Sequence, residues 1–416
     1  MRILILSQYC FPETDMKSLP LAKDLQSKGY EVEILTGYPN QPTGKLFPGY
    51  SMKLFFSEYI DGVKINRVPL YINHSKSKFK RVMNYLSFTI SACLLGIWMV
   101  KKPRIIYTYH GPATIAIPAI FLKLIYRSKI FYDINDYWPD TLEATGMIRS
   151  KYILKLVGTF CTLSYKFFDK INAVTNGFKK KLLDVGVPES KITVVYNWSL
   201  PMDSKHSSVF DTYRHIFNNN FTIIYAGNIG LAQSLGVLIK TALKLKVNKI
   251  GGVKILLLGD GTQQQYLCDE VVKHSLGDYI SFTGSIPAKN VGEFLLAADI
   301  LLLHLKNDPL FEITLPSKLG SYFSLGMPVL CGVPGESSDI VKNINAGLCF
   351  IPDDPEDLYS KIILSMGLGK SELERMGING QQFYDENISF EIGTKKFAEI
   401  FNRMNLERKP VVNYCA

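Results

Sequence analysis

The segment Leu315-Pro316-Ser317-Lys318 combines a cation with the expected start of a helix. Pro316 suits a first helical turn because it has no amide hydrogen to satisfy, and the helical pattern runs to about Leu325. The free amides and positive dipole end of such a helix bind anions, and Lys318 adds a full charge. This pairing stabilises a departing phosphate, where negative charge grows in the transition state. The alternative for Lys318 is a solvated surface lysine.

Glycine-rich turns follow three successive apolar runs in the second half of the chain. Glycine lets backbone amides approach a ligand closely, as a nucleotide diphosphate requires. Ligands bind beyond the carboxyl ends of the strands in open α/β sheets, so these turns are expected at one sheet edge. One such turn is typical of an ordinary loop, whereas the set favours a nucleotide site. The turns are Tyr225-Ala226-Gly227-Asn228-Ile229-Gly230, Leu258-Gly259-Asp260-Gly261 and Thr283-Gly284-Ser285-Ile286.

Aromatic and hydrogen-bonding residues follow the predicted strands of the first half, a composition typical of a sugar-binding cleft. Asp136, just beyond a buried strand, is the carboxylate that we expect to take part in catalysis. The alternative role for Asp136 is to cap a helix or turn before Pro139. The candidate acceptor-binding residues are Tyr9, Pro12, Tyr38, Asn40, His110 and Trp138.

The sequence shows no pattern of a metal site: it contains no His-x-x-x-His, and no predicted strand end carries paired carboxylates. The acidic run from Asp353 to Asp357 is typical of a helix N-terminus around Pro355. A Walker phosphate-binding sequence is absent as well, which disfavours a kinase or an ATPase. We therefore expect neither a metal ion nor another cofactor.

Composition indicates a folded protein of two or three domains, because 416 residues with 47% apolar and 20% charged side chains can bury sizeable cores. Seven scattered cysteines, none in a Cys-x-x-Cys pair, favour reduced core residues in a cytosolic protein. The start, Met1 to Ser7, is too short an apolar run for a signal peptide and predicts a first strand.

Positive charge is concentrated in the first half of the chain. Residues 1–200 carry a net charge of +13 and residues 201–416 carry −3, within a total of +10. A basic half fits nucleic acid or the anionic cytoplasmic leaflet of a membrane, although it can also be ordinary solubilising surface. Nucleic-acid binding is disfavoured because no basic helix has interleaved aromatic residues.

Short apolar runs alternate with amphipathic stretches, which predicts βαβ units around parallel sheets. Seven candidate strands precede the polar stretch 199–220 and six follow it. The fold class is therefore α/β, with two doubly wound domains. The predicted divisions are a first domain over 1–198, a linker over 199–220, a second domain over 221–390, and a C-terminal helical segment over 391–416 that could pack back on the first domain.

The segment Val82 to Val100 has 19 uncharged residues between basic flanks. Its length nearly suffices to span a bilayer, but a crossing would separate strands that belong to one sheet. Two alternatives are a buried crossover helix and a helix that lies at a membrane interface with its basic flanks on anionic headgroups. The flanks are Lys76, Lys78, Lys80 and Arg81 before it, and Lys101, Lys102 and Arg104 after it.

Together these motifs resemble the family-4 retaining glycosyltransferases, and more narrowly the fucosaminyl- or N-acetylamino-sugar transferases of O-antigen and capsule assembly. The resemblance covers nearly the whole chain. Further motifs that carry it are Thr36-Gly37-Tyr38-Pro39-Asn40-Gln41-Pro42-Thr43-Gly44, Asp136-Tyr137-Trp138-Pro139-Asp140, Val195-Tyr196-Asn197-Trp198, and Pro316-Ser317-Lys318 followed by Tyr322 and Gly326-Met327-Pro328-Val329.

The resemblance implies two Rossmann-like domains with a cleft between them (the GT-B fold), a nucleotide-sugar donor held mainly by the second domain and an acceptor held mainly by the first. It also implies metal-independent transfer with retained anomeric configuration, in which the leaving phosphate helps to deprotonate the acceptor. The residues it assigns to the donor are Gly227, Asn228 and Gln233 at the phosphates, Gly259, Asp260, Gly261 and Ile286 at the base, and Pro316, Ser317 and Lys318 at the diphosphate.

The chain departs from the family pattern at two places. Many members have two glutamates eight residues apart, the second of which binds the donor ribose, and here these positions hold Ile313 and Ser321. Ser321 is retained as a candidate donor-binding residue. Glu312, which is adjacent to Ile313, is retained as a candidate catalytic residue. The usual histidine before the aspartate of the first-domain motif is Asn135.

The predicted activity is transfer of a sugar, an N-acetylated or 6-deoxy hexosamine, from a UDP-sugar to a lipid-diphosphate-linked saccharide in surface polysaccharide synthesis. The predicted location is the cytoplasmic face of the inner membrane, with the protein bound peripherally to the anionic surface. Two alternatives remain: an enzyme similar to nucleotide-sugar 2-epimerases, which the scarcity of histidine disfavours, and a non-catalytic scaffold of the same fold at the membrane.

Overall fold

The computed structural model describes residues 1–13, 17–41, 43–73, 78–202 and 208–406. The chain divides into two compact units, a first unit of Met1–Val195 with Gly393–Ala416 and a second unit of Tyr196–Ile392. Each unit contains one sheet whose strands are connected mainly by helices. The prediction of two doubly wound, Rossmann-like α/β domains is confirmed.

The sheet of the first unit has eight strands in the order β3-β4-β2-β1-β5-β6-β7-β8, and all neighbours are parallel except β3 and β4. Its strands are β1 (Arg2–Leu6), β2 (Glu31–Gly37), β3 (Phe56–Ile60), β4 (Val63–Val68), β5 (Ile105–His110), β6 (Lys129–Ile134), β7 (Lys170–Ala173) and β8 (Ile192–Val194). Its helices are α1 (Ser18–Ser27), α2 (Lys78–Met99), α3 (Ala116–Tyr126), α4 (Asp140–Ala144), α5 (Lys151–Tyr165) and α6 (Asn176–Asp184).

The sheet of the second unit has six parallel strands in the order β11-β10-β9-β12-β13-β14. These are β9 (Phe221–Ala226), β10 (Val253–Leu258), β11 (Ile280–Gly284), β12 (Ile300–His304), β13 (Val329–Gly332) and β14 (Gly347–Cys349). The helices are α7 (Ser208–Asn218), α8 (Gly236–Val247), α9 (Gln264–Lys273), α10 (Ala288–Leu296), α11 (Pro309–Glu312), α12 (Ser317–Ser324), α13 (Glu336–Asn343), α14 (Pro355–Gly367) and α15 (Lys370–Phe383), followed by α16 (Phe390–Leu406).

One strand is missing from the sequence prediction. β3 forms an antiparallel hairpin with β4 through Asp61 and Gly62, both of which have positive φ, the conformation of the tightest hairpin turns. It is an edge strand whose residues alternate between half-buried and exposed, so it does not form an apolar run. The Asp-Gly pair is a strong hairpin signal and could have revealed it.

The predicted linker 199–220 contains the helix α7. Phe210 and Ile216 lie on one side of α7 and are buried, and the Phe210 ring packs edge to face on Phe294 at 5.1 Å. The polar residues between them conceal this amphipathic pattern. Residues 203–207 of the predicted linker lie outside the described residues.

Helix α2 contains most of the uncharged segment Val82 to Val100 and connects β4 to β5. It packs against β2, β4 and α3, with Phe88 and Ala92 fully buried, as a crossover helix does. Within the described residues, one helix, Lys80–Met99, is long enough and apolar enough to cross a membrane. Core helices of soluble proteins pass the same test.

A buried ion pair lies beneath the strand ends of the first unit. Lys17 Nζ donates to Asp133 Oδ2 at 2.8 Å and to Asn135 Oδ1 at 3.1 Å. Asp133 also accepts hydrogen bonds from the Tyr107 hydroxyl at 2.8 Å and the Asn172 amide at 2.7 Å. Both charged side chains are almost fully buried, so the network fixes the end of β6, which leads into Asp136.

The C-terminal helix α16 belongs mostly to the first unit. Phe397 and Phe401 meet the Phe131 ring edge to face, with ring centroids 5.0 and 5.4 Å apart. Tyr30 donates to Asn402 at 2.8 Å. Residues 407–416 of the predicted segment lie outside the described residues.

Candidate functional site

The second unit contains a cavity of about 400 Å³ beyond the carboxyl ends of its strands. Residues of all three glycine-rich turns, helix α10 and helix α12 form its walls. Its volume is within the range of small-molecule sites. Of the predicted donor-binding residues, seven line it: Gly227, Asn228, Gly259, Asp260, Ile286, Lys318 and Ser321.

Backbone hydrogen bonds connect the three turns beyond the ends of their strands. Gly227 N donates to the Leu258 carbonyl at 2.8 Å, Ile229 N to the Asp260 carbonyl at 2.9 Å, and Gly259 N to the Gly284 carbonyl at 2.9 Å. Gly259 has a φ of +135°, and a Cβ there would lie 2.0 Å from the Gly227 carbonyl oxygen. The close approach of the turns therefore requires glycine.

We expect Gly259→Ala to lower the free energy of unfolding by about 1 to 3 kcal/mol, because it introduces a strained φ and a clash with backbone. The matched control is Gly251→Ala in the same unit, where a Cβ would meet nothing within 4 Å. Urea denaturation of both variants measures the difference. Equal stability of the two variants would show that the turns are not packed as described.

Lys318 lies against the first turn and beneath its tyrosine. Its Nζ is 3.8 Å from the Tyr225 ring centroid and donates to the Tyr225 hydroxyl, which in turn donates to the Asn228 carbonyl at 2.6 Å. A Cβ on Gly227 would lie 2.5 Å from Lys318 Cε. In the described part of the chain no carboxylate forms a salt bridge with Lys318. Burial lowers the pKa of Lys318 to about 7.

Gln233 does not line the cavity, which differs from its predicted contact with donor phosphate. Its side-chain oxygen accepts from Gly230 N at 3.1 Å and from the Asn228 amide at 3.2 Å. Its carbonyl accepts from His304 Nδ1 at 2.7 Å, while His304 Nε2 accepts from Asp353 N at 3.1 Å. Gln233 therefore supports the Gly227 turn from outside the cavity wall.

His304 is a positioning residue that the sequence analysis did not identify. The two hydrogen bonds require a neutral ring protonated on Nδ1, and burial lowers the pKa of His304 accordingly. No sequence signal reveals this role, because its partners lie 71 and 49 residues away.

Four other predicted residues lie outside the wall of the cavity. Gly261 packs on the Ile229 carbonyl, which a Cβ would approach to 2.3 Å. Pro316 caps α12, which begins at Ser317, and the Ser317 carbonyl accepts from Ser321 Oγ at 3.4 Å. Glu312 ends α11 and is exposed.

The first unit contains a second pocket, of about 350 Å³, at the ends of its strands. It brings together Tyr9, Asp136 and Trp138 of the predicted acceptor and catalytic residues, and it adds Arg81 and Tyr85 from α2. Asp136 is exposed to this pocket, but the surrounding walls desolvate it and raise its pKa. No hydrogen bond or ion pair holds Asp136 within the described residues, so its carboxylate can bind a ligand hydroxyl.

Tyr38 and Asn40, which were predicted to bind the acceptor, do not line this pocket. Both are fully buried: the Tyr38 hydroxyl accepts from Lys53 N at 2.9 Å, and the Asn40 amide donates to the Tyr38 carbonyl at 2.8 Å. Pro12 is half-buried and also outside the pocket wall. The His110 side chain lies outside the described part of the structure.

Glu13 is a buried carboxylate that connects the loops after β1 and β2. Its Oε1 accepts from Asn40 N at 2.7 Å and Gln41 N at 2.8 Å, and its Oε2 accepts from Cys10 N at 3.1 Å. Arg67 joins the same loops through the carbonyls of Phe11 and Gly37. Both residues shape the region beside the pocket, and neither belongs to a motif that points to this role.

The described residues include no group of three or more histidine, cysteine, aspartate or glutamate side chains that could hold a metal ion. The polar groups of the second-unit cavity are instead backbone amides, one amide side chain, one carboxylate, hydroxyls and the Lys318 amine. Such a set suits an anionic ligand with an apolar flat portion.

Two family models match the chain. The model described as "Glycosyltransferase Family 4" matches residues 19–198, and the model described as "Glycosyl transferases group 1" matches residues 213–383. A relative described as a putative colanic acid biosynthesis glycosyl transferase, WcaI, from Escherichia coli (strain K12), is 24% identical over 233 residues. That alignment spans 53% of this chain and only 56% of the relative.

Solved structures share the fold over nearly the full length. Sucrose-phosphate synthase from Thermosynechococcus elongatus matches with a TM-score of 0.69 and 13% identity, over 97% of this chain and 98% of that one. Anabaena Alr3699/HepE in complex with UDP matches with a TM-score of 0.68 and 14% identity, over 97% and 100%. The two matched regions lie mainly in the two Rossmann-like units, and together they show that the chain is a glycosyltransferase.

Proposed function

We propose that this protein transfers a sugar from a UDP-sugar to a lipid-diphosphate-linked saccharide during the synthesis of a surface polysaccharide. The observation that carries the proposal is the position of Lys318 in the second-unit cavity, against the Gly227 turn and near the start of α12. The similarity to the colanic acid relative supports a polysaccharide product, and the UDP complex of HepE supports the donor nucleotide.

In this proposal the donor diphosphate binds between the Gly227 turn and Lys318. The base lies on the apolar side of the cavity, where Ile286, Val291 and Leu295 form the wall. Asp260 and Ser321 line the same cavity and offer polar groups to the ribose. Ser321 occupies the place where many family members have glutamate, so the ribose receives a weaker contact there.

Lys318 and the first amides of α12 provide the positive charge that the leaving diphosphate needs. The proposed reaction retains the anomeric configuration, as the family resemblance implies, and the departing phosphate oxygen takes the proton of the acceptor hydroxyl. Because the leaving group is neutralised by these groups, we propose that no metal ion is needed.

We propose that the acceptor saccharide binds in the pocket of the first unit. Trp138 offers an aromatic face, Tyr9 a hydroxyl, and Asp136 a carboxylate that accepts hydrogen bonds from sugar hydroxyls. Arg81 adds a cation in the same pocket, which suits the phosphate of a lipid-linked acceptor. This chemistry supports peripheral binding at the cytoplasmic face of the inner membrane, where such acceptors are presented.

The direct test is incubation of the purified protein with a panel of UDP-sugars and an undecaprenyl-diphosphate-linked saccharide, followed by mass spectrometry. We expect the mass of the acceptor to increase by one sugar with one amino-sugar donor, at a rate that a chelator does not change. The anomeric configuration of the product, determined by NMR, should match that of the donor. UDP binding without transfer from any donor would favour a non-catalytic scaffold.

UDP affinity should depend on pH through Lys318. In the free protein, burial lowers the pKa of Lys318 to about 7, and a bound diphosphate raises this pKa again by placing negative charge beside the amine. The complex therefore holds more protons than the free protein above about pH 7, and UDP affinity falls as the pH rises, by at most about tenfold per pH unit.

Calorimetry in buffers of different ionisation enthalpy measures this proton uptake directly. The control is Lys318→Met, which removes the titrating amine and should bind UDP weakly with little pH dependence above neutrality. If UDP affinity depended on pH in the same way in both proteins, Lys318 would not be in contact with the diphosphate.

A further inference from the structure

The outward face of α2 is apolar along its whole length. Val82, Leu86, Ile90, Leu94 and Trp98 recur every four residues, a spacing that places them along one side of a helix, and we call them the apolar ridge. Ile90 and Leu94 are each 59% exposed and Trp98 is 77% exposed. Exposed large apolar side chains are normal singly, whereas a continuous row marks a contact surface.

The core of the first unit does not account for this ridge. The opposite face of α2 already packs on the sheet through Phe88, Ala92 and Asn84, all buried. The neighbouring helix α3, which packs against α2, exposes Leu124 and Ile125 as well, so the apolar surface extends beyond one helix.

The chain segment that contains the ridge carries charge of a single sign. Between Asp61 and Asp133 the chain has twelve basic residues and no acidic one. Lys80 near the start of α2, and Lys101 and Lys102 just beyond its end, are exposed. Lys76 and the side chain of Lys78, which belong to the predicted basic flank, lie outside the described residues. An apolar strip between exposed lysines is complementary to an anionic lipid surface, which offers acyl chains below and phosphates above.

The helix cannot cross the bilayer while this fold persists. α2 connects β4 to β5, and both strands belong to the same sheet. A crossing would place the two strands on opposite sides of the lipid and strip Phe88 and Ala92 of their packing. A helix that keeps these contacts can only lie along the surface.

The ridge and the acceptor pocket share the same turns of α2. Arg81, Asn84 and Tyr85 line the pocket, while Val82 and Leu86, between and beside them, belong to the ridge. A membrane that contacts the ridge therefore lies next to the wall of the pocket.

We infer that the apolar ridge of α2 inserts into the interfacial layer of an anionic membrane and that this contact supplies the first-unit pocket with acceptor from the bilayer. The membrane contact stands on the ridge and its charges alone, whereas the supply of acceptor rests on the proposed function. Both follow from the two faces of one helix.

The test compares sedimentation of the full chain with vesicles of phosphatidylcholine, with and without phosphatidylglycerol. We expect binding to the phosphatidylglycerol vesicles and at least a tenfold weaker binding of the uncharged double variant Ile90→Gln/Leu94→Gln. The control is Val272→Gln, at an apolar residue of the second unit that is 78% exposed, and this variant should bind as the unaltered protein does. Brominated acyl chains should quench Trp98 fluorescence, and Trp98→Phe should lose that quenching.

Equal vesicle binding of the ridge variant and the unaltered protein would overturn the inference. So would concentration-dependent self-association in ultracentrifugation that the same variant abolishes, since the ridge would then be covered by a second copy. UDP affinity should be the same in the ridge variant and the unaltered protein. Measuring it in parallel tests the proposed donor site independently of membrane binding. With acceptor in vesicles, the variant should lose transfer, and with a short-chain soluble acceptor it should retain it.

Discussion

Lys318→Met should lower the turnover of sugar transfer about 100- to 1000-fold, the effect of removing one preorganised charge donor from a transition state. Methionine keeps the length of the side chain and its packing against Gly227 and the Tyr225 ring. The positive charge near the start of α12 is lost, so the departing diphosphate retains only the helix amides and the turn. The expected loss corresponds to about 3 to 4 kcal/mol of barrier.

Single-turnover kinetics at saturating donor measure this loss apart from donor binding. Lys240→Met, an exposed lysine of the same unit, serves as the control and should leave the rate unchanged. Turnover of Lys318→Met within a few fold of the unaltered enzyme would remove the lysine from the proposed mechanism.

The second large effect concerns stability. Lys17→Met should lower the free energy of unfolding of the first unit by about 3 to 5 kcal/mol, because it leaves the Asp133 carboxylate buried without its cation. The Tyr107 and Asn172 hydrogen bonds to Asp133 remain but do not neutralise it. The loop that carries Asp136 follows directly, so acceptor binding should weaken as well.

Lys23→Met gives the comparison for this change. Lys23 pairs with Asp61 at 2.7 Å, and both side chains are about half exposed, so its loss should cost about 0 to 1 kcal/mol. Urea unfolding of the two variants gives both values. A similar small cost at Lys17 would indicate that water reaches the Asp133 pair.

The alternation of strands and helices was accessible from the sequence because central parallel strands are buried on both faces. Ile3, Leu4, Ile5 and Leu6 of β1 are all buried, and such a strand is an unbroken apolar run. The edge strand β3 and the helix α7 have mixed faces, so an apolar run does not reveal them. The tight Asp61-Gly62 turn was the one local signal for β3.

The cavity of the second unit was predictable in outline because topology brings the ends of parallel strands to one edge. Gly227, Gly259 and Lys318 meet there as sequence reasoning expected. Which side chain of a loop faces the cavity depends on hydrogen bonds within and beyond the loop: the Gln233 side chain bonds Gly230 N, and the Gln233 carbonyl bonds the distant His304. In the first unit Glu13 draws in the backbone of Asn40 in the same way.

The most direct test of the account compares the affinities of UDP and uridine for the unaltered protein and for Lys318→Met by calorimetry. The difference between the two ligands isolates the diphosphate. We predict that UDP binds far more tightly than uridine to the unaltered protein. In the variant, the ratio of UDP affinity to uridine affinity should fall by at least about tenfold, as expected for the loss of one charge-assisted contact. An unchanged UDP to uridine ratio in the variant would contradict the claim that the leaving group rests against Lys318 and α12.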